Sequence, residues 1–312
     1  MSWWQAIILG LVEGLTEYLP VSSTGHLLVA QALLGIGTAS PEAERAANAY
    51  AICIQAGAIV AVLGLYWSRV KQSAVGWAGK VGVGPGDKDG FQLGLNLVAA
   101  FMPAAVLGVL FDDKIEEHLF HPWFIVGAWF VGGVAILAVC QWNRRKRAAS
   151  GDIASADSEK GRALELLTWR MALIIGLLQC VAMLPGTSRS LATIVGGLLV
   201  GLSVAAAVEF SFLLGVITLL AATVYKAVLD SVQVDLDGDG VLEEVLMISW
   251  MAREYGWWTM LIGSVTAWAS AVVSVKWMVG YLKKRGLEVF GYYRIAIAIV
   301  VAGLILAGVM QA

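Results

Sequence analysis

Apolar residues arrive along this chain in long runs separated by short polar stretches, and most of the charge collects in those stretches. Six runs, 46–67, 91–111, 122–142, 203–228, 256–281 and 292–311, are each long enough to cross the roughly 30 Å hydrocarbon layer of a bilayer as a helix. Two further apolar stretches, 2–35 and 171–201, are interrupted near their centres by Pro20 and Pro185. A proline lacks the backbone donor a helix needs, so each stretch is expected either as two tight spans or as one re-entrant hairpin.

Loop charge chooses between these. The connections 68–90, 143–170 and 282–291 hold 14 basic residues, whereas 36–45, 112–121 and 229–255 hold only Arg45, Lys114 and Arg253. Cytoplasmic loops are the basic ones, so the run 46–67 starts outside and the run 203–228 starts inside. Each broken stretch then enters and returns on one side. The expected fold is an all-α polytopic membrane protein of two inverted-topology repeats, each a re-entrant helical hairpin plus three spanning helices. The first repeat is 1–142, with hairpin 2–35. A basic cytoplasmic linker, 143–170, leads to the second repeat, 171–312, with hairpin 171–201. In such repeats the hairpin tips meet near the midplane, where non-helical backbone must be buried or line a wet cavity.

Composition leaves no room for a large soluble domain: the 312 residues are 59% hydrophobic and 14% charged. The N-terminus carries no basic region ahead of its apolar run, so no cleaved signal peptide is expected. Cys53, Cys140 and Cys180 all lie in apolar runs with neither a disulfide nor a zinc spacing. Trp3, Trp67, Trp142 and Trp257 fall near run ends, as interfacial aromatics do.

The chemistry concentrates at the two prolines. Glu13-Gly-Leu-Thr-Glu-Tyr-Leu-Pro-Val-Ser-Ser-Thr-Gly-His26 sets two acids, a hydroxyl run and a histidine in an apolar region, and Leu184-Pro-Gly-Thr-Ser-Arg-Ser190 repeats the proline and hydroxyls with Arg189. Ionisable groups at bilayer depth cost about 2.5 to 3.5 kcal/mol each on insertion scales, which marks them as functional candidates. Glu13 and Glu17 share a helix face, as do Ser23 and His26. The helix starts after each proline offer unpaired N–H groups to an anion, and the Arg189 fork suits phosphate. Together these parts describe a phosphate pocket in a membrane. Ser23 is a candidate nucleophile, with His26 or Glu17 as the proton acceptor, while Glu13 and Glu17 could share a divalent cation. Other readings remain open at this point: helix capping for Ser22, Ser23, Thr187 and Ser188, a structural His26, an ion or proton path along Glu13 and Glu17, and a structural ion pair for Arg189. A second motif, Asp235-Leu-Asp-Gly-Asp-Gly240, matches the start of a calcium loop, but Leu246 stands where the bidentate acid belongs, and a solvated outer loop is the stronger expectation.

These two motifs, with Ile54-Gln-Ala-Gly-Ala-Ile59, Met102-Pro-Ala-Ala-Val-Leu-Gly108 and Glu209-Phe-Ser-Phe-Leu-Leu214, resemble the bacterial undecaprenyl-diphosphatase family, the bacitracin-resistance membrane proteins. The resemblance runs along nearly the whole chain. It implies a multi-pass hydrolase of the bacterial plasma (inner) membrane that removes the terminal phosphate of undecaprenyl diphosphate, recycling the carrier lipid for cell-wall synthesis. It further implies a site toward the outer or periplasmic face, assisted by a divalent cation, Mg2+ or Ca2+. Carried over by motif position, Ser23, His26, Glu17 and Arg189 are the catalytic candidates. Glu13, Ser22, Thr24, Gly186, Thr187, Ser188, Ser190 and Gln55 are candidates for substrate binding. Expected partners are a polyprenyl diphosphate and the bilayer; no nucleic acid is expected, and a homodimer is left open. The competing function is a transporter or flippase of an anionic lipid or solute, because broken helices at a midplane also serve carriers.

Overall fold

The computed structural model describes residues 1–38, 40–119, 121–149, 161–234, 243–282 and 284–310. Among them the first half comprises α1 (Trp3–Thr16), α2 (Ser23–Leu34), α3 (Pro41–Leu65), α4 (Trp67–Lys80), α5 (Lys88–Leu119) and α6 (Pro122–Ala149). The second comprises α7 (Trp169–Gln179), α8 (Arg189–Leu199), α9 (Val204–Val224), a two-stranded antiparallel ribbon of β1 (Ser231–Val234) and β2 (Glu243–Leu246), then α10 (Met247–Tyr255), α11 (Trp257–Leu282) and α12 (Glu288–Leu306).

Six of these helices, α3, α5, α6, α9, α11 and α12, are long and apolar enough to cross a membrane, and they fall on the six runs within a few residues. The chain is a multi-pass, helical membrane protein. Both broken stretches fold as helix pairs, α1 with α2 and α7 with α8. At 1.5 Å per residue α1 reaches only about 21 Å, short of a bilayer. The hairpin tips touch: Ser190 Oγ donates to the Leu19 carbonyl at 2.8 Å.

Packing follows a reciprocal scheme. The first hairpin lays α1 on α11 of the second half, and the second lays α7 on α5 of the first. The remaining spans pair like with like, α3 with α9 and α6 with α12. Along α1, Ser270 and Ser274 of α11 donate to the carbonyls of Gly10 and Leu15, at 3.2 and 2.9 Å. Such cross-helix bonds hold helices together where lipid supplies no hydrophobic drive. Tyr18 and Phe212 pack edge-on in a core shared by both halves, and Arg69 of α4 bridges Glu209 of α9 and Glu165 at 2.7 and 2.9 Å.

Three expectations need correction. The connection 68–90 contains α4, an amphipathic helix too polar for a spanning run. The helices α5 and α6 continue past the predicted ends of their runs, because backbone hydrogen bonding does not stop where apolarity does. The stretch 229–255, read as a connection, holds packed structure: Val232, Met247 and Met251 are buried in one apolar cluster with Ala46, Ala47 and Tyr50 of α3. Its Asp235–Gly240 calcium-loop match, like the linker segment 150–160, lies outside the described residues.

Candidate active site

Pro20 ends α1 and Pro185 follows α7, and each proline is succeeded by a serine in an unusual conformation. Ser22 has φ 74° and Ser188 φ 78°, the two non-glycine residues with positive φ among those described. This left-handed region costs an L-residue about 1 to 2 kcal/mol, so both turns hold stored strain. Each serine caps the following helix, Ser22 accepting from the Gly25 amide at 3.5 Å and Ser188 from that of Leu191 at 3.2 Å. One cap satisfies one amide. Those of Ser23 and Thr24, and of Arg189 and Ser190, find no acceptor among the described residues. Two helix starts with free N–H groups therefore face the region between the tips.

Arg189, the first residue of α8, reaches across that region. Its Nη2 donates to Glu17 Oε1 at 2.8 Å and its Nη1 to the Ser211 carbonyl at 2.9 Å, and the guanidinium stacks over Tyr18. Ser23, the first residue of α2, donates its hydroxyl to the other carboxylate oxygen of Glu17. Glu17 thus joins the hydroxyl of one hairpin to the guanidinium of the other, and both acid and arginine are almost wholly shielded, at 5% and 10% side-chain exposure. Arginine has five N–H donors, so three remain for other acceptors; the buried Nε has none.

A cavity of about 210 Å³ opens between the tips. Glu17, Ser22, Ser23 and Thr24 line it from the first hairpin, Gly186, Ser188 and Arg189 from the second, and Gln55 from α3. Its apolar wall comes from Ala104 of α5 with Ala182 and Met183. It shares Thr24, Gln55 and Ala222 with a second cavity, which shares Leu28, Gln31 and Asn48 with a third, wider one reaching Gly37 and Ser40. The three neighbouring cavities extend from the hairpin tips to Gly37 and Ser40, just before α3.

Four candidates do not line the cavity. Thr187 closes the turn by its amide's bond to the Leu184 carbonyl at 3.1 Å, and Ser190 is consumed by bonds to Ser188 and Leu19. Glu13 lies one turn before Glu17, fully buried, and neither of its carboxylate oxygens has a partner. His26 is not brought to Ser23. Its Nδ1 meets the Ser22 carbonyl at 2.6 Å and its Nε2 the Tyr293 hydroxyl at 2.8 Å, with the ring stacked on Tyr293. His26, four residues after Ser22 and so about one turn on, bonds back to the Ser22 carbonyl and is not among the residues lining the cavity.

Three residues at the site went unread in the sequence. Gln179 and Thr218 line the cavity; Gln179 stands nine residues before Ser188, as Glu13 stands nine before Ser22. Gly215 of α9 is the third: a Cβ there would run into the Arg189 guanidinium. Gly215→Ala is therefore expected to displace Arg189 and lower turnover by about tenfold to a hundredfold, the usual result of misplacing a reacting group by an ångström. Steady-state rates alongside a melting curve in detergent check this.

Residues 6–300 match the family model described as bacitracin resistance protein BacA. The chain belongs to the BacA family. Relatives named undecaprenyl-diphosphatase include one from Polaromonas sp., 37% identical over 98% of this chain and 96% of its own length. Another, from Sorangium cellulosum, is 39% identical over 96% of this chain and 86% of its own. A third, from Porphyromonas gingivalis, is 38% identical over 99% and 98%. A BacA-family chain whose relatives carry a hydrolase's name, with a serine bonded to a carboxylate, favours an enzyme over the carrier.

Proposed function

We propose that this protein hydrolyses undecaprenyl diphosphate to undecaprenyl phosphate and inorganic phosphate, with the site made by the two hairpin tips. The observation that carries the reading is the Ser23–Glu17–Arg189 chain of bonds across a cavity lined by two helix starts. Hydrolysis of a phosphoric anhydride needs a nucleophile, a proton acceptor and donors for the phosphoryl oxygens. Ser23 Oγ attacks the terminal phosphorus while its proton passes to Glu17. The bond from that phosphorus to the bridging oxygen breaks, and undecaprenyl phosphate leaves with the proton that Glu17 took up, which frees the carboxylate for the second step. Water then attacks the phosphoserine, Glu17 relaying the water proton to the Ser23 oxygen, and phosphate is released. The spare N–H groups of Arg189 and the free amides of both turns hold the phosphoryl oxygens, whose charge grows during transfer. His26 supports the cap turn through the Ser22 carbonyl, and Glu17 takes the role of base.

A buried carboxylate with two unpartnered oxygens fits a cation, and Glu13 is such a group. Both Glu17 oxygens are already engaged, and no cluster of three or more His, Cys, Asp or Glu occurs among the described residues. Glu13 would hold Mg2+ or Ca2+, joined by Glu17 where it gives up its bond to Ser23 or Arg189, and such an ion would supply charge neutralisation to the diphosphate. A chelator is accordingly expected to suppress phosphate release. Glu13→Gln raises the cation concentration for half-activation by about tenfold or more, read from a metal titration of activity.

The two halves are proposed to be inverted repeats. Reciprocal packing of α1 on α11 and α7 on α5, and matched caps at Ser22 and Ser188, support this. With the basic connections cytoplasmic, the neighbouring cavities that reach Gly37 and Ser40 lie toward the outer side, which favours an outer-facing site in the bacterial plasma membrane. The test is phosphate release from a C15 or C55 prenyl diphosphate by purified protein. Release at the uncatalysed rate would remove the reading.

A further inference from the structure

Behind the two turns, on the side away from the cavity, lies a charge that none of the motifs contains. Arg294 of α12 is fully buried, and all of its hydrogen-bond partners among the described residues are backbone carbonyls rather than carboxylates. Its fork donates to four of them. Nη1 reaches Pro20 at 3.3 Å; Nη2 reaches Gly186 and Ala128, each at 2.9 Å; Nε reaches Trp129 at 3.4 Å. Two of these carbonyls belong to the hairpin turns, one in each half, and two to α6. A charge buried without a counter-ion is costly, and only a full set of aligned dipoles offsets the cost. The surrounding residues are shaped to it. A Cβ at Gly132 of α6 would run into the guanidinium. From the same helix Trp129 donates its indole N–H to the Val21 carbonyl at 2.8 Å, beside the Pro20 bond.

We infer that Arg294 is a positioning residue for phosphoryl transfer: one guanidinium clamps the carbonyls of Pro20 and Gly186 and so sets the separation of the helix starts that carry Ser23 and Arg189. Ser23 lies three residues after Pro20 and Arg189 three after Gly186, so each catalytic group hangs from a clamped carbonyl by a short, strained arm. Arginine suits the task because its planar fork spans separated acceptors in a fixed geometry, whereas a lysine ammonium is a single point on a flexible stem.

The inference rests on the diphosphatase reading, and its test separates the two. Arg294→Lys keeps the charge and loses the span. Expected is a fall in kcat of about a hundredfold with KM for a C15 prenyl diphosphate within about threefold, because misplaced groups lose transition-state contacts rather than ground-state binding. Spin labels at Leu33→Cys in α2 and Leu199→Cys in α8, both exposed positions, in a background whose three native cysteines are alanine, report the hairpin spacing by double electron–electron resonance. Arg294→Lys should broaden or shift that distance distribution. Wild-type kcat in Arg294→Lys overturns the inference, as does a loss of kcat with the distance distribution unchanged, or a loss matched by an equal loss of folded protein. Absence of turnover in the wild-type protein strikes the diphosphatase reading instead, and the spacing measurement then decides the clamp alone.

Discussion

Ser23→Ala is expected to lower phosphate release from a prenyl diphosphate by at least about a thousandfold, while leaving the protein folded. Removing the nucleophile from a site of this kind abolishes the covalent route and leaves only the electrostatic contribution of the remaining donors, a residue of activity over water. Arg189 and the free amides of both turns would survive the change. The hydroxyl's one described partner is Glu17. Its loss removes a single hydrogen bond to a charged acceptor, about 1.5 to 3 kcal/mol, so the melting temperature should fall by a few degrees rather than collapse. Rate and melting curve together separate a missing nucleophile from a damaged fold.

Arg189→Lys is the second large effect, with an expected loss in kcat of about 10² to 10⁴-fold. Arginines that hold a transferring phosphoryl group contribute about 10³ to 10⁵, and an ammonium recovers some of the charge but neither the fork nor its reach. Arg189→Met should be worse in another way. Glu17 is buried, and stripping its cation leaves an uncompensated carboxylate, a destabilisation of about 3 to 5 kcal/mol. The lysine variant is thus the cleaner test of catalysis and the methionine variant of the buried pair. A Glu17→Gln, Arg189→Met double variant should regain part of that stability, since it removes both charges, yet remain inactive.

Much of this organisation could be read from residue order. Six apolar runs mark the spanning helices because lipid demands length and apolarity together. Pro20 and Pro185, followed by hydroxyl residues, mark helix starts because few other patterns place caps there. An ion pair between Arg189 and one of the two glutamates was only an alternative to phosphate binding in the sequence, and the structure gives it to Glu17. What could not be read is where side chains meet backbone across helices. His26 is three residues from Ser23, yet its two ring nitrogens are taken by the Ser22 carbonyl and the Tyr293 hydroxyl, partners that no spacing rule anticipates. Arg294 and Trp129 act on carbonyls, which leave no mark in a sequence. The helix α4 was hidden for a different reason: its apolar positions cover one face only, so its average polarity is that of a loop.

The account stands or falls on the Ser23 hydroxyl receiving the terminal phosphate. A single turnover of C15 prenyl diphosphate labelled in its terminal phosphate, quenched in acid and mapped by peptide, measures this directly. Label on the peptide containing Ser23, absent when that residue is alanine, is the predicted result. Wild-type turnover with no label on Ser23, together with near-normal rates in Ser23→Ala, would contradict it.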